Sequence, residues 1–203
     1  MASPPNSPLS SPPLAFNVPM ALTWARIAMI PVIVGIFYVP DSWFPSHWKN
    51  ATACWLFVLA AITDAIDGYV ARKYGMVSRL GAFLDPVADK LMVSAALIVL
   101  LSLGRIDEFV ALVIIGREIA VSALREWMAQ IGKSASVAVN SLGKIKTIAQ
   151  MVAIPMLLFH DKLFGVIDVH LIGTLLIYIA AALTVYSMFV YLRMAWPHLD
   201  NES

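Results

Sequence analysis

From residue 20 to residue 195 the chain alternates long apolar stretches with short polar clusters. A helix needs about 20 mostly apolar residues to cross the hydrocarbon core of a bilayer. Six stretches meet that length and predict helices over 20–39, 51–73, 80–103, 108–130, 143–160 and 168–195. Turn formers fill the breaks: Pro40-Asp41-Ser42 and Pro45-Ser46, Tyr74-Gly75, and Leu103 to Asp107. Because these connections are short, and neither an internal repeat nor a heptad pattern is present, the expected architecture is all-α, a polytopic membrane helical bundle with about six transmembrane helices. The longest link, Ile131 to Gly143, carries Gly132, Lys133, Ser134, Ser136, Asn140 and Ser141, and is a candidate loop over a site. Pro31 and Pro155 read as packing kinks inside spans. Pro86 directly follows Asp85, where a break would aim that carboxylate or free a backbone carbonyl.

Composition supports the membrane reading. Of the 203 residues, 60% are hydrophobic and the mean hydropathy is +0.80, whereas a soluble domain is roughly 45–50% apolar. The expected layout is a flexible Pro/Ser-rich tail over 1–16, one membrane domain over 17–198 and a short tail over 199–203. The opening MASPPNSPLSSPP contains no Lys or Arg, and so lacks the basic region of a signal peptide. Cys54 is the only cysteine, which excludes an intrachain disulfide and gives no hint of a zinc site. It reads as a membrane-facing or packing residue.

The net charge of +1 conceals an uneven layout. If the N-terminus is cytoplasmic, eight basic residues (Arg72, Lys73, Arg79, Arg125, Lys133, Lys144, Lys146 and Arg193) fall at cytoplasmic span ends, against Lys49, Arg105 and Lys162 at the others. The positive-inside rule then places both termini in the cytoplasm, and no nucleic-acid partner is expected. Trp43, Trp48, Trp196, Tyr38, Tyr74 and Tyr191 fall near span ends, as an interfacial aromatic belt would. His47, His160, His170 and His198 also lie at span ends, without ligand-like spacing, and the methionines read as packing.

Against this background the acids stand out. Asp64 and Asp67 are spaced i, i+3, and Asp85 and Asp89 i, i+4, so each pair shares one helix face, with rises of about 4.5 and 6 Å. Carboxylates inside a membrane are costly unless paired, hydrated or bound to a cation. A turn around Gly75 would bring the two pairs face to face near the cytoplasmic side. Four converging oxygen donors suit Mg²⁺, Mn²⁺ or Ca²⁺, and four carboxylates can hold two ions about 3.5–4 Å apart, as in phosphoryl chemistry. Neutralisation by Arg72 or Lys90, or protonation on burial, would account for two such acids more readily than for four. A divalent-cation transporter is the alternative from another class, and predicts acids reaching both membrane faces.

The segment Asp64-Ala65-Ile66-Asp67-Gly68-Tyr69-Val70-Ala71-Arg72, followed by Gly81-Ala82-Phe83-Leu84-Asp85-Pro86-Val87-Ala88-Asp89, resembles the DxxDGxxAR(x8)GxxxDxxxD signature of the CDP-alcohol phosphotransferases at all eight specified positions. The resemblance extends to Asn17-Val18-Pro19, Leu22 to Arg26, Arg117-Glu118, Leu124-Arg125-Glu126, Gly143 to Thr147 and Gln150. It is strongest toward bacterial members that make phosphatidylglycerophosphate. It implies transfer of a phosphatidyl group from CDP-diacylglycerol to sn-glycerol 3-phosphate, with release of CMP, by a homodimer in the inner membrane. Asp64, Asp67 and Asp85 would hold two Mg²⁺ or Mn²⁺ ions on the donor diphosphate, and Asp89 would assist the second ion or act as general base. Gly68 would let the nucleotide approach the helix backbone, Ala71 and Gly81 would leave room for cytidine, and Arg72 would offset phosphate charge, with Thr23 and Asn17 also on the donor side. Other acceptors within the family, an inositol phosphate or phosphatidylglycerol, remain alternatives.

A second group is basic. Arg117 and Arg125 lie eight apart on the fourth span, and Lys144 and Lys146 open the fifth. A cationic pocket suits an anionic acceptor, because Arg grips phosphate with a planar fork and Lys acts as a point charge. The resemblance makes this the glycerol-3-phosphate pocket; the alternative is pairing of Arg117 with Glu118 or Glu126 and lysines that face anionic lipid. Arg26, inside the first span, could reach the same site or a bundle carboxylate.

Overall fold

Every predicted apolar stretch forms a helix. The computed structural model describes residues 18–74, 79–132, 141–163 and 167–199, and among these six α-helices run as α1 (Val18–Gly35), α2 (Ser46–Tyr74), α3 (Arg79–Ser102), α4 (Glu108–Gln130), α5 (Ser141–Phe159) and α6 (Val169–Leu199). A 3₁₀ turn, Ile36–Tyr38, extends α1. A two-stranded antiparallel hairpin, β1 (Lys162–Leu163) with β2 (Ile167–Asp168), joins α5 to α6; the apolar pattern gave no sign of this detail. Met20–Tyr38, Ser46–Tyr69 and Val169–Met194 are each long and apolar enough to cross a membrane, and Ile145–Phe159 is a shorter apolar helix. The charges of α3 and α4 lower their hydropathy, yet at 24 and 23 residues and about 1.5 Å per residue both match the bilayer. The protein is an all-α helical membrane bundle.

Pro31, Pro86 and Pro155 all lie within continuous helices. The break considered at Pro86 does not occur. Pro86 is the eighth residue of α3, so the one ladder bond that its missing N–H forfeits falls in the helix's first two turns, and the helix runs through it.

The packing order determines where the site forms. α1 lies against both α2 and α3, which touch each other much less; α5 packs along α6, α2 also meets α5, and α4 leans on α6. Ile33, Phe57, Leu97, Leu100, Ile114, Ile154, Leu157 and Ile177 form the main core, with Cys54 partly buried against it. A Cβ on Gly173 would meet Leu157 Cγ at 3.0 Å, Met156 Cβ at 3.1 Å and the Ala153 carbonyl at 3.3 Å, so glycine permits the close approach of α6 to α5. Small residues serve this purpose generally where membrane helices pack closely.

Because successive helices alternate in direction, the bundle has two polar ends. At one, Arg105 donates to the Leu157 and Leu158 carbonyls (3.0 and 2.7 Å) and to Asn50 Oδ1 (2.7 Å), fastening the α3–α4 turn to the end of α5 and the start of α2. Gly104, at φ +66°, makes that turn possible. There too Lys49 donates to the Val39 carbonyl and to Asp41 Oδ1, both at 2.5 Å, a bond that holds the Asp41 carboxyl below its ordinary range. The other end gathers the start of α1, the end of α2, the start of α3, the end of α4, the start of α5 and the end of α6, and contains the acids. Trp43, Trp48, Trp196 and Tyr38 are exposed, as belt residues should be. Tyr191 is not: it is 2% exposed, packed with Val121 and Met128 between α4 and α6, because its position on α6 faces a neighbouring helix rather than lipid. The turn around Gly75, the tail over 1–16 and most of the link over 131–143 lie outside the described residues; α4 itself closes with the Gly132 N–H donating to the Ala129 carbonyl.

Candidate active site

The four aspartates occupy the last turns of α2 and the first turns of α3, as their spacing predicts, and α1 packs against both helices. Arg26 forks onto the α2 pair: Nη1 donates to Asp64 Oδ1 at 2.5 Å and Nη2 to Asp67 Oδ2 at 2.6 Å. Arg26 is 1% exposed and Asp67 3%, while the Asp64 side chain is 42% exposed. One turn earlier on α1, Thr23 Oγ1 donates to Asp85 Oδ1 at 2.5 Å. A single helix face thus fastens both acid pairs, which answers where Arg26 points: to bundle carboxylates. Asp67 lies within electrostatic reach of Asp64 and Asp85, and Asp89 within reach of Asp64. Even so, among the described residues no three acids converge on one point as metal ligands do. Asp64 and Asp89 line one small cavity together with Arg26, so the pairs do approach each other, with side chains of α1 bonded to both.

Whether this set suits a divalent ion turns on donor chemistry and charge. All four groups are hard carboxylate donors of the kind Mg²⁺ and Mn²⁺ take. Arg26 and Thr23 occupy one oxygen each on Asp64, Asp67 and Asp85, which leaves a second oxygen on each. The negative charge exceeds what one guanidinium balances, and an imbalance of that kind at membrane depth favours further cations. The donor set fits.

Beside the acids lies a cavity of about 350 Å³ between α3 and α4, lined by Asp89, Lys90, Arg117, Glu118, Ser122 and Arg125 among others. Arg117 is 6% exposed; its Nη2 donates to Ser187 Oγ at 3.1 Å and its Nη1 to Glu118 Oε1 at 3.3 Å, while its Nε has no partner among the described residues. Arg125 Nη2 donates to the Tyr191 hydroxyl at 2.9 Å. Lys146 is buried and donates to Glu118 Oε1 at 2.5 Å, so it stands behind Glu118 rather than in the cavity wall. Asp89 has a double position: it lines this cavity and also a smaller one containing Arg26 and Asp64.

Thus the structure joins Arg117 and Arg125 with Asp89 and sets Lys146 one residue back. Gly68 follows Asp67 on α2, and Gly81 lies in the first turn of α3. Asn17 and the side chains of Ala71, Arg72 and Lys144 lie outside what is described. Sequence reasoning did not reach Ser122 or Ser187, and it read Lys90 only as a counter-charge for the acids and Tyr191 only as a belt residue. Lys90, next to Asp89, could have been read as a wall residue from adjacency; Ser187 and Tyr191, at the far end of the chain, carried no such signal.

The model of the CDP-alcohol phosphatidyltransferase family matches residues 16–186, which include both acid pairs and both arginines. The chain belongs to the CDP-alcohol phosphatidyltransferase family. As a family member it is a membrane-embedded transferase. It is 46% identical over 184 residues to the CDP-diacylglycerol–glycerol-3-phosphate 3-phosphatidyltransferase of Pectobacterium atrosepticum, covering 90% of this chain and 96% of that protein. It is 44% identical over 192 residues to the proteins of the same name from Shigella flexneri serotype 5b and Escherichia coli, covering 93% of this chain and all of each relative.

Proposed function

We propose that this phosphatidyltransferase moves the phosphatidyl group of CDP-diacylglycerol to sn-glycerol 3-phosphate, giving phosphatidylglycerophosphate and CMP. The observation that carries the reading is the position of Asp89, on the wall shared by the acid cluster and the cationic cavity. The names of the relatives give the same donor and acceptor for those proteins.

Asp64, Asp67, Asp85 and Asp89 would hold two Mg²⁺ or Mn²⁺ ions, which when bound neutralise the donor diphosphate and the departing CMP. Arg117 and Arg125, which line the cavity, bind the acceptor's phosphate. That anchor sets the acceptor's primary hydroxyl toward Asp89. The hydroxyl oxygen attacks the phosphatidyl phosphorus in line, the bond from that phosphorus to the CMP oxygen breaks, and the hydroxyl proton passes to the Asp89 carboxylate. Lipid tails of donor and product stay in the bilayer throughout. The excess of basic residues at the acid-bearing end supports a site and termini facing the cytoplasm in the inner membrane, and the family reading carries with it a homodimer.

The test supplies purified protein in detergent with CDP-diacylglycerol, Mg²⁺ and a panel of acceptors: glycerol 3-phosphate, an inositol phosphate and phosphatidylglycerol. CMP release with glycerol 3-phosphate well above the others is expected. Release with none of them would sink the proposal.

A further inference from the structure

We propose that Tyr191 is a positioning residue for the acceptor: it holds Arg117 and Arg125 together as one anion-binding unit. This rests on the reading of the cationic cavity as the acceptor's. Two guanidiniums eight residues apart on α4 start about 12 Å apart along the helix axis and repel each other. The Tyr191 ring, coming from α6, meets both: the Arg117 guanidinium carbon lies 5.5 Å from the ring centre and that of Arg125 5.2 Å. A negative π-face attracts both cations and offsets part of their repulsion. The hydroxyl of the same ring accepts from Arg125 Nη2 at 2.9 Å, and Ser187, one turn earlier on α6, accepts from Arg117 Nη2 at 3.1 Å. Val121 and Met128 pack with Tyr191 in one buried cluster. Arg117 and Arg125 line the cavity while Tyr191 stands behind them, so its action on the acceptor passes through the arginines.

The hydroxyl and the ring are separable. Tyr191→Phe keeps the ring and removes the bond to Arg125; it should raise the acceptor KM about fivefold, leaving the KM for CDP-diacylglycerol, kcat and the melting midpoint in detergent near those of the unaltered protein. Tyr191→Leu removes both interactions and should raise the acceptor KM at least about tenfold; if it does not fold, the Phe variant carries the test. The decisive comparison is a double-mutant cycle with Arg125→Ala, in which Tyr191→Phe should lose nearly all its effect on acceptor KM. An undiminished effect in that background, or equal rises in KM for both substrates, would overturn the positioning role while leaving the acceptor cavity intact. An acceptor KM unmoved by Arg125→Ala itself would overturn the cavity reading and this inference together.

Discussion

At the scale of residues, the acid cluster is governed by its counter-charges. Arg26 is nearly inaccessible and forks onto Asp64 and Asp67, so without divalent ions it is the principal cation balancing the α2 pair. Removing one partner of a buried ion pair costs roughly 3–5 kcal/mol, and the exposure of Asp64 places this case at the lower end. Arg26→Gln is expected to lower the melting midpoint in chelator by much more than in millimolar Mn²⁺; equal losses in both conditions would contradict the shared-charge account. On the basic side, hydrogen bonds to charged groups are each worth about 1.5–3 kcal/mol, so Arg117→Ala should raise the acceptor KM by about tenfold or more with a far smaller change for CDP-diacylglycerol. Comparable rises for both substrates, in initial-rate measurements, would remove Arg117 from the acceptor pocket. The paired acids and the arginines were legible in sequence because helical spacing places them without knowledge of neighbours. The partners of Arg26 and the burial of Tyr191 depend on which helix lies alongside, information that no local pattern contains.

At the scale of elements, the apolar runs gave all six helices to within a few residues. Their order in space was hidden. The packing of α1 against both α2 and α3 ties the two acid pairs together through Thr23 and Arg26. α6 is apolar all round, so nothing in its sequence marks the face that supplies Ser187 and Tyr191. Its other half is fixed by contact at Gly173. Gly173→Leu would drive a side chain into Leu157 and the Ala153 carbonyl; overpacking of this kind costs about 1–3 kcal/mol. The melting midpoint in detergent should fall, with turnover per folded molecule retained, since Gly173 lies at the end of the bundle away from the acids. An unchanged midpoint would show that α6 does not pack there as described.

For the whole molecule, the two ends divide the labour. One is closed by Arg105, Asn50 and the carbonyls of α5; the other gathers Asp64, Asp67, Asp85, Asp89, Arg117, Arg125 and Lys146. The bunching of these four helix-borne aspartates at one end favours a transferase over a cation path, which would spread such acids along the bundle. Chelation with EDTA should abolish CMP release and added Mg²⁺ or Mn²⁺ restore it; activity that survives exhaustive chelation would contradict the assignment of ions to the four aspartates. The central claim is that donor and acceptor meet at Asp89, and the most direct measurement compares Asp89→Asn with the unaltered protein, following CMP release together with the lipid product and metal-dependent binding of CDP-diacylglycerol. The account predicts that phosphatidylglycerophosphate forms only with Asp89 present, while the variant still binds the donor in part. Near-normal turnover by the variant would contradict it.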